Sequence, residues 1–458
     1  MIENRKFHIK TFGCQMNVYD SGRIFDLLIN SGYVFSDKVI DSDVIILNTC
    51  YIREKASEKI FSELGRIKNS LSKKYKHFGK TRIDYRPIFI IVGCVAKAEG
   101  ENILKRIPYV DAVLSASEYY LIPEIINELT NNPEKKIVNI ELNGTKKFDY
   151  LVDIAPAATD FSSFVAIQEG CDKFCTYCVV PNTRGREVSR SVDSIIKEVK
   201  SLNNGKTVEL TLLGQNVSAY NGLDSSGTQK QLSDLLDEVD KLDFIKRIRY
   251  ITSYPTEISD KLIDVHVKSN KIMPLFFVPI QSGSNAILKK MNRRYTAEEY
   301  LHMIDRVLNK IPYAKFSSDF IVGFPNETDE DFNKTLEIVE RVEFINSFSF
   351  KYSKRPGTFA AKMDGQVPNE VATNRLIKLQ SLLQSKQLKF NQSLVGRIVP
   401  VLFESIAKSN SNLMFGKTEY LQTVLCDLDS GCIGKIKSVE ITKADAFTLN
   451  GKLIKDEK

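Results

Sequence analysis

The sequence contains no tryptophan, no internal repeat, no low-complexity segment and no long apolar run. A membrane-spanning helix needs roughly 18 or more apolar residues in succession, and the N-terminal stretch MIENRKFHIK lacks the apolar core of a signal peptide. These absences predict a cytoplasmic protein that makes no contact with a membrane. The missing tryptophan does not deprive the core of bulk, because 26 phenylalanines and 18 tyrosines are present.

The remaining composition is typical of a globular protein with more than one domain. Of the 458 residues, 43 % are hydrophobic and 26 % are charged, which are ordinary values, and the length predicts two or three domains. Eight cysteines in a reducing compartment indicate metal binding or catalysis rather than disulfides. Six of them lie in the first two-fifths of the chain: Cys14, Cys50, Cys94, Cys171, Cys175 and Cys178.

The positive charge is concentrated in one segment. Lysine and arginine number 64 and aspartate and glutamate 57, which leaves a net charge of +7. Between Gly65 and Pro87 there are eight basic residues and a single acid, Asp84. A patch of this density indicates a polyanionic partner, although a solvated surface loop is the commoner origin of one charge run.

Strand and helix patterns alternate through the first 150 residues. Buried apolar strands that alternate with helices predict a doubly wound parallel α/β domain. The predicted strands are Phe7–Phe12, Asp43–Asn48, Ile88–Val92 and Val110–Ser115, and the predicted helices are Ser21–Ser31, Ala56–Lys68, one from about Glu99, and Ile122–Leu129.

Three cysteines occupy equivalent places in this pattern. Cys14, Cys50 and Cys94 each follow the end of a strand and precede a helix. The carboxyl ends of parallel strands form the ligand crevice of such a sheet. We therefore expect these three side chains to converge, although their spacing in the sequence matches no local metal motif.

Two further domains are expected after a polar linker at 131–160. Strand–helix alternation continues with strands near Ser163–Glu169, Thr207–Leu213, Ile248–Thr252, Leu275–Val278, Phe316–Val322 and Phe348–Tyr352, and helices such as Val192–Leu202 and Ala297–Asn309. Six such units predict a partial (β/α)6 barrel with functional residues at the strand ends. Short strands at Ile398–Glu404, Leu421–Cys426 and Ile433–Thr442 predict a small all-β barrel. The predicted domains are 1–135, 157–388 and 393–455.

A C-x₃-C-x₂-C loop carries the strongest chemical signal. Cys171, Cys175 and Cys178 follow a predicted strand. Three thiolates in one loop suit three irons of a [4Fe–4S] cluster, which leaves the fourth iron free for an outside ligand. A structural zinc site needs four protein ligands, and no fourth cysteine or histidine is near. A three-cysteine zinc or structural loop remains the alternative reading.

This loop resembles the signature of radical S-adenosylmethionine enzymes. The stretches Thr11–Asn17, Asn48–Arg53 and Gly93-Cys94 are similar to the motifs of the methylthiotransferase N-terminal domain, and Gly396-Arg397, Gly416–Thr418 and Gly434 are similar to a TRAM RNA-binding domain. The resemblance covers the chain in the family's domain order. It implies two [4Fe–4S] clusters, one on each set of three cysteines, and S-adenosylmethionine as cofactor.

Further motifs resemble the tRNA-modifying branch of this family, called MiaB. They are Gly170–Arg190, Leu213–Val217, Gln281–Ser284 and Tyr352–Thr358. The resemblance implies radical methylthiolation at C2 of N6-dimethylallyl-adenosine beside the anticodon of tRNA. It also implies a flavodoxin- or ferredoxin-type electron donor. We expect a monomer, and the sequence does not identify the sulfur source.

Two other functions remain open at this point. The same chemistry is compatible with methylthiolation of a ribosomal protein residue or of threonylcarbamoyl-adenosine. A non-enzymatic iron–sulfur carrier is disfavoured, because a carrier needs no barrel with polar strand-end motifs.

Two sets of residues are candidates for ligand contacts. The cofactor set lies in the cysteine loop or at strand ends: Phe174, Tyr177, Gln215, Asn216, Ser253, Gln281, Ser282 and Asp319. The RNA set is basic: Arg184, Arg186, Arg355, Arg397 and Lys417. No catalytic residue is assigned beyond the cluster ligands. The chain departs from the family pattern at Tyr254, Leu275 and Phe277, where histidines are usual, and at Lys97, where a glutamine is usual. Cys426 and Cys432 are expected to be structural.

Overall fold

The computed structural model describes residues 5–51, 54–74, 86–142, 144, 146–157 and 160–454. The N-terminal region is a six-stranded, entirely parallel sheet in the order β2-β1-β3-β4-β5-β6. Its strands are β1 Lys6–Thr11, β2 Val34–Phe35, β3 Val44–Thr49, β4 Ile88–Gly93, β5 Ala112–Leu114 and β6 Ile137–Asn139. β3 and β4 are buried at every residue, as expected for central strands covered on both faces.

Helices cover both faces of this sheet, which confirms the predicted doubly wound fold. They are α1 Gln15–Asn30, α2 Glu54–Lys74, α3 Cys94–Glu99, α4 Glu101–Arg106, α5 Ile122–Asn131 and α6 Lys146–Leu151. Alternate residues of β3 enter different apolar cores, with Val44 and Ile46 on one face and Ile45 and Leu47 on the other. The order of the strands reverses between β1 and β3, because β2 lies on one side of β1 and β3 on the other. A ligand crevice forms at such a switch point.

The predicted linker at 131–160 is wrong in part. Within it, Ile137–Asn139 forms the edge strand β6, and Lys146–Leu151 forms helix α6. A strand of three residues in a polar stretch is too short for alternation of apolar and polar residues to be recognised in the sequence. β6 forms because the exposed edge of β5 offers backbone partners, and α6 packs its Phe148 and Leu151 into apolar cores.

The central region is the predicted partial barrel with six strand positions. Its strands are β7 Ser162–Ala166, β8 Gln168–Glu169, β9 Val188–Ser189, β10 Glu209–Leu213, β11 Asn221–Leu223, β12 Gln229–Gln231, β13 Arg247–Ile251, β14 Leu275–Phe277, β15 Lys315–Ser317, β16 Asp319–Val322 and β17 Phe348–Lys351. Parallel pairs join β7 to β10, β10 to β13, β14 to β15 and β16 to β17. A bridge from Ile248 to Ile272 continues the curved sheet from β13.

Helices surround the barrel, and their starts follow local capping rules. They are α7 Val180–Thr183, α8 Val192–Ser201, α9 Leu232–Asp240, α10 Asp260–Lys268, α11 Asn285–Lys290, α12 Ala297–Lys310, α13 Asp329–Arg341 and α14 Asn369–Gln392. Thr296 and Thr328 cap α12 and α13, and the acids Glu299 and Asp331 complete capping boxes. The helices shield one large apolar core that includes Phe276 and Phe316.

The C-terminal region is a closed five-stranded barrel. Its strands are β18 Ile398–Ile406, β19 Leu413–Thr418, β20 Thr423–Asp427, β21 Ile436–Ala444 and β22 Thr448–Leu453, in the order β18-β19-β20-β22-β21. Closure removes the free edges of a sheet. Cys426 and Cys432 lie buried in its core as free thiols, as their predicted structural role requires.

Two buried arginines of β13 hold this small barrel against the central one. Arg247 donates to the carbonyls of Lys417 (2.9 Å) and Pro400 (2.8 Å). Arg249 donates to those of Glu419 (2.6 Å) and Thr418 (3.0 Å). Glu209 lies 3.1 Å from Arg249, and although burial opposes it, the two cations hold the pKa of Glu209 below its usual range.

We expect Arg249→Met to loosen the C-terminal barrel. The change removes two hydrogen bonds and leaves the buried carboxylate of Glu209 with the hydroxyl of Ser162 and the more distant cation of Arg247. Loss of one partner from a buried ion pair costs about 3–5 kcal/mol, which chemical denaturation will measure. Arg306→Met, which breaks a solvent-exposed pair with Asp260, is the control and should cost less than about 1 kcal/mol. Equal losses in the two variants would contradict the role given to Arg249.

The described part of the chain contains no helix that is both long and apolar enough to cross a bilayer.

Two cysteine sites joined by buried charges

The first three cysteines meet at one edge of the N-terminal sheet, as their positions after strands predict. Cys14 caps α1, Cys50 follows β3 directly, and Cys94 opens α3. The thiols of Cys14 and Cys50 are hydrogen-bonded, and Cys94 interacts electrostatically with Cys14. Cys50 and Cys94 are buried, whereas Cys14 is half-buried. The three thiols therefore form one group that solvent reaches from the Cys14 side.

Two glycines allow the strand ends to approach this closely. A Cβ at Gly13, where φ is +114°, would lie 2.1 Å from Cβ of Cys50, and one at Gly93, where φ is +100°, would lie 2.5 Å from the carbonyl oxygen of Thr49. A side chain at either position would separate the cysteines. Glycine is also the residue that tolerates these backbone conformations.

Neighbouring groups favour the thiolate form of Cys14. The hydrogen bond from Cys50, opposed by burial and aided by Arg184, lowers the pKa of Cys14 to about 6. Burial raises the pKa of Cys94, although the positive charge of Arg184 acts in the opposite direction. Thiolates are the form that binds metal.

Arg184 lies buried between the two cysteine sites. Its guanidinium is 2.8 Å from both Asp20 and Glu169 and donates to the amide oxygen of Asn17 at 2.9 Å. Only 3 % of its side chain is exposed. This position contradicts the predicted contact with RNA, because the guanidinium faces carboxylates inside the protein.

The second cysteine set lies on the loop after β8. Cys171, Cys175 and Cys178 are all half-buried, and their thiols interact electrostatically with one another. Burial and the neighbouring thiols raise the pKa of Cys171 to about 11 and that of Cys178 to about 12. Gly170 turns the chain into this loop at φ +79°, where a Cβ would lie 2.0 Å from the carbonyl oxygen of Arg186.

Arg293, which the sequence analysis missed, is the cation of the second site. It donates to Sγ of Cys175 at 3.5 Å, to the carbonyl of Pro279 at 2.7 Å and to the hydroxyl of Tyr295 at 2.7 Å. Among the described residues, no carboxylate lies within ion-pair distance of its guanidinium. It follows a helix rather than a strand, so strand-end reasoning did not reach it.

Each site presents three thiols, a set that suits a cluster because each thiolate binds a separate iron. The described residues include no group of three or more His, Cys, Asp or Glu side chains arranged to hold one metal ion. At the second site two donors are directed at sulfur, Arg293 at Cys175 (3.5 Å) and the amide of Val180 at Cys178 (3.5 Å). Donors of this kind stabilise an anionic cluster.

Two of the predicted cofactor residues engage protein groups around the second loop. The side-chain oxygen of Gln215 accepts from the amide of Gly170 at 2.5 Å and so holds the entry to the loop. Asn216 donates to Glu257 at 2.7 Å and accepts from the hydroxyl of Ser218 at 3.0 Å. The amide of Asn216 is thus used at both ends, and it positions Glu257, which sequence reasoning did not select.

The remaining strand-end candidates differ in whether they are already hydrogen-bonded to other protein groups. The buried hydroxyl of Ser253 has no hydrogen-bond partner within the described residues, so it is open to a ligand. Gln281 adopts φ +73°, and its backbone N–H donates to the backbone carbonyl of Asp319 at 3.0 Å. This hydrogen bond joins the ends of two strands. Ser282 is fully buried, and its hydroxyl accepts from the amide of Ser284 at 3.2 Å. It therefore supports the turn before α11.

Three of the residues that depart from the family pattern lie on or beside the barrel strands β13 and β14. Tyr254 is buried between two cations, with Lys173 4.9 Å and Arg293 4.5 Å from its ring centroid. Its hydroxyl accepts from the amide of Arg294 at 2.9 Å. Leu275 and Phe277 are half-buried on β14. A tyrosine stands here in place of the usual histidine, and because burial raises the pKa of Tyr254, its hydroxyl keeps its proton near neutral pH.

Carboxylates balance Lys173 beside the cysteine loop. Lys173 forms an ion pair with Glu257, and Glu187 lies close to both. Burial and the charge of Glu257 raise the pKa of Glu187 to about 7, against the opposing effect of Lys173. This site therefore contains a carboxyl group that is partly protonated at neutral pH.

The aromatic candidates of the loop have different surroundings. Phe174 is 40 % exposed at φ +47°, with the guanidinium of Arg186 5.3 Å from its ring. Tyr177 points inward and meets Phe324 edge-to-face at 6.4 Å. Tyr177 thus shields the cysteines from the protein side, and Phe174 lies toward solvent.

A segment after β17 spans both cysteine sites. The guanidinium of Arg355 lies 5.9 Å from the ring of Tyr51, the neighbour of Cys50. The amide of Ala360 donates to the carbonyl of Thr176 at 2.9 Å, within the second loop. Between these anchors the side chain of Phe359 is 73 % exposed. Sequence motifs identified Arg355 but gave no signal for Phe359, because exposure of an aromatic residue depends on the tertiary fold.

The other predicted RNA residues lie on the surface. Arg186 is largely exposed and pairs with Asp172 at 2.8 Å. Arg397 is exposed before β18, and Lys417 on β19 lies 3.7 Å from Glu404. The basic segment Gly65–Pro87 falls partly outside the described residues, as does Arg53 of the second cysteine motif.

Three family models match consecutive parts of the chain. Residues 6–115 match the uncharacterized protein family UPF0004, residues 165–339 match the Radical SAM superfamily, and residues 392–454 match the TRAM domain. The first range covers five of the six strands of the N-terminal sheet, the second covers most of the central barrel, and the third covers all five strands of the C-terminal barrel.

Full-length relatives share nearly half of the sequence. A tRNA-2-methylthio-N(6)-dimethylallyladenosine synthase of Orientia tsutsugamushi strain Boryong is 45 % identical over 98 % of this chain and 99 % of its own length. The synthase of the same name from Pelagibacter ubique is 46 % identical over 99 % of both chains. Among solved structures, the radical S-adenosylmethionine methyltransferase TsrM of Kitasatospora setae aligns with a TM-score of 0.55 at 10 % identity, over 79 % of this chain and 77 % of its own. This last likeness concerns the fold alone.

Proposed function

The chain belongs to the family of tRNA-2-methylthio-N(6)-dimethylallyladenosine synthases, and from that premise we propose that it converts N6-dimethylallyl-adenosine beside the anticodon of tRNA to its 2-methylthio form. The observation that carries the proposal is the pair of three-cysteine sites, one per α/β region, joined through Arg184. The proposed division of labour follows domains 1–135, 157–388 and 393–455. The enzyme acts in the cytoplasm as a monomer and receives electrons from a flavodoxin- or ferredoxin-type protein.

Each cysteine set would hold one [4Fe–4S] cluster with an open iron. When bound at the second site, such a cluster supplies the electron for reductive cleavage of S-adenosylmethionine, and the protein's part is binding, orientation and exclusion of water. Cys171, Cys175 and Cys178 would be its ligands, and Cys14, Cys50 and Cys94 those of the first. The hydroxyl of Ser253 and the carboxylate of Glu257 would contact S-adenosylmethionine, and Tyr177 shields the cysteines from the interior.

The substrate base must leave its stack to reach a site between the two cysteine sets. The C2–H bond of adenine is beyond acid–base chemistry, so its activation requires a radical. Single-stranded loops are the RNA elements whose bases are most readily unstacked and held by aromatic side chains. Phe174 and Phe359 are exposed aromatic groups at this position, and Arg355 lies half-buried in the same segment as Phe359.

A reconstitution experiment tests the function. The protein is loaded anaerobically with iron and sulfide and given reductant, S-adenosylmethionine and tRNA that carries dimethylallyl-adenosine. Nucleoside mass spectrometry should then detect the 2-methylthio product. Parallel reactions with threonylcarbamoyl-adenosine tRNA and with ribosomal protein should give none. Formation of 5′-deoxyadenosine without a modified dimethylallyl nucleoside would retain the radical chemistry and refute the substrate.

We expect Phe359→Ala to weaken tRNA binding without changing its salt dependence. A base stacked on an aromatic ring contributes about 1–3 kcal/mol by alanine substitution, whereas the slope of log affinity against log salt counts phosphate contacts. Binding of an anticodon stem-loop, measured at several salt concentrations, separates the two. Phe359→Leu keeps the apolar bulk but should behave like alanine, and Phe359→Trp should retain affinity. Arg355→Gln should lower the slope by about 1. Full affinity in Phe359→Ala would contradict the stacking role.

A further inference from the structure

Four buried charges form a closed ring between the two cysteine sites. One oxygen of Asp20 and one of Glu169 lie 2.8 Å from Arg184. The other oxygen of Glu169 lies 2.5 Å from Nζ of Lys147, and the other oxygen of Asp20 lies 3.4 Å from it. Each cation thus bridges both carboxylates, and each carboxylate meets both cations. All four side chains are at most 3 % exposed.

The ring draws its members from segments that are separate in sequence. Asp20 lies on α1, six residues after Cys14, and Glu169 ends β8, two residues before Cys171. Lys147 belongs to α6 of the connecting segment and also lies 3.2 Å from the carbonyl of Ala116. Arg184 follows α7, six residues after Cys178. The ring therefore ties the segment of each cysteine set to the other.

Arg184 also reaches beyond the ring toward the first site. It donates to the amide oxygen of Asn17 at 2.9 Å, and its positive charge opposes the burial that raises the pKa of the Cys94 thiol. The amide nitrogen of Asn17 in turn donates to the carbonyl of Phe12 at 2.9 Å, at the end of the first cysteine strand. The fork of the guanidinium thus fixes groups on both sides, which a point-like ammonium does not reproduce.

A ring of this kind is poorly explained by stability alone. The charges of two cations and two anions sum to zero. A protein with a buried set of charges is often no more stable than one with apolar residues of the same volume in their place. Its distinguishing property is geometric. Arg184 donates a hydrogen bond to Glu169 and Lys147 donates one to Asp20, while the other two contacts of the ring are ion pairs by distance. Directed charge-assisted hydrogen bonds specify a position. Group transfer between two sites depends strongly on such a position, since a displacement of 1 Å can reduce a rate about a hundredfold.

We propose that Arg184 is a positioning residue and that the ring it forms with Asp20, Lys147 and Glu169 fixes the distance between the two cysteine sites. The ring couples reductive cleavage of S-adenosylmethionine at the second site to delivery of the methylthio group from the first. This inference rests on the proposed function. It assigns Arg184 to coupling rather than to the chemistry of either site alone.

The test compares two matched double variants. Arg184→Met with Glu169→Gln removes the bridge but leaves Lys147 and Asp20 as a neutral pair, so no unbalanced charge is buried. Arg375→Met with Glu327→Gln is the control, because this pair is also buried, at 2.7 Å, but joins α14 to the segment before α13. Arg184→Lys keeps the charge and should restore part of the coupling. The readouts are 5′-deoxyadenosine, methylthio nucleoside, and amide hydrogen exchange of the cluster-free protein.

We expect the Arg184 double variant to form 5′-deoxyadenosine at a rate within about twofold of the parent. Its yield of methylthio nucleoside per 5′-deoxyadenosine should fall tenfold to a hundredfold, on the order that misplacement causes. Exchange in the cluster-free protein should rise at residues 12–20 and 168–178, and the control should change neither quantity.

Two outcomes would overturn the inference. One is an unchanged ratio of products, and the other is an equal loss of both, which would mark the ring as structural only. A parent enzyme that forms 5′-deoxyadenosine but no methylthio nucleoside would refute the proposed function instead. In that case hydrogen exchange still tests the ring, and unaltered exchange at both segments would overturn it.

Discussion

Cys14→Ala should abolish the methylthio nucleoside while 5′-deoxyadenosine continues to form, and Cys175→Ala should abolish both. The two cysteines belong to different sites, and only the second set matches the loop that ligates a radical cluster with an open iron. Removal of one of three thiolates leaves too few ligands to hold a cluster. The loss should therefore be complete, to the detection limit of nucleoside mass spectrometry, rather than graded.

Iron analysis provides the control for this prediction. Each variant should retain about half of the parent's iron, since the other site is untouched. Cys426→Ala removes a cysteine of the C-terminal core and should leave iron and both products unchanged. A Cys14→Ala protein that still makes methylthio nucleoside would show that the first three cysteines are not needed for sulfur transfer.

Arg293→Met should lower the reduction potential of the second cluster. The guanidinium donates to Sγ of Cys175, and a nearby positive charge favours the more negative, reduced state. A hydrogen bond to a charged group contributes about 1.5–3 kcal/mol, which corresponds to about 60–130 mV for a one-electron couple. A spectroscopic redox titration of the Cys14→Ala background, where only the second cluster is present, measures the shift.

Arg293→Met should also affect the cluster-free protein, because the guanidinium donates to the carbonyl of Pro279 and to the hydroxyl of Tyr295. Loss of these hydrogen bonds should lower the free energy of unfolding of the cluster-free protein. Arg293→Lys keeps the charge and should shift the potential less than Arg293→Met. An unchanged potential in an Arg293→Met protein with full iron content would contradict the electrostatic role.

Much of the fold was accessible from the sequence because its signals are local. The apolar runs Val44–Thr49 and Ile88–Gly93 are buried strands, and period and length alone identify them. Six strand positions of the barrel were predicted for the same reason. The edge strand Ile137–Asn139 was missed, since its three residues derive their conformation from a neighbouring strand rather than from their own pattern.

The selection of functional residues depended on local signals in the same way. The six cysteines were selected as cluster ligands because thiols placed after strands, or three in one loop, are indicated by residue type and local position. Arg184 was assigned to RNA because an arginine in a polar motif gives no sign of burial, and its carboxylate partners lie 164 and 15 residues away. Glu257 and Arg293 were overlooked for a related reason, as neither lies in a recognisable motif.

From the sequence alone came the thiols expected to ligate iron, the principal buried strands of the two α/β regions, and the family that the chain resembles. Which charges are buried, which face each other and which aromatic rings reach solvent depends on the tertiary structure. The physical reason is that ligand chemistry belongs to a side chain, whereas the state of an ion pair depends on its distance to a partner and on the loss of water around it. The four charges of the ring come within ion-pair distance and lose their water only when three separate segments pack together. They are Asp20, Lys147, Glu169 and Arg184.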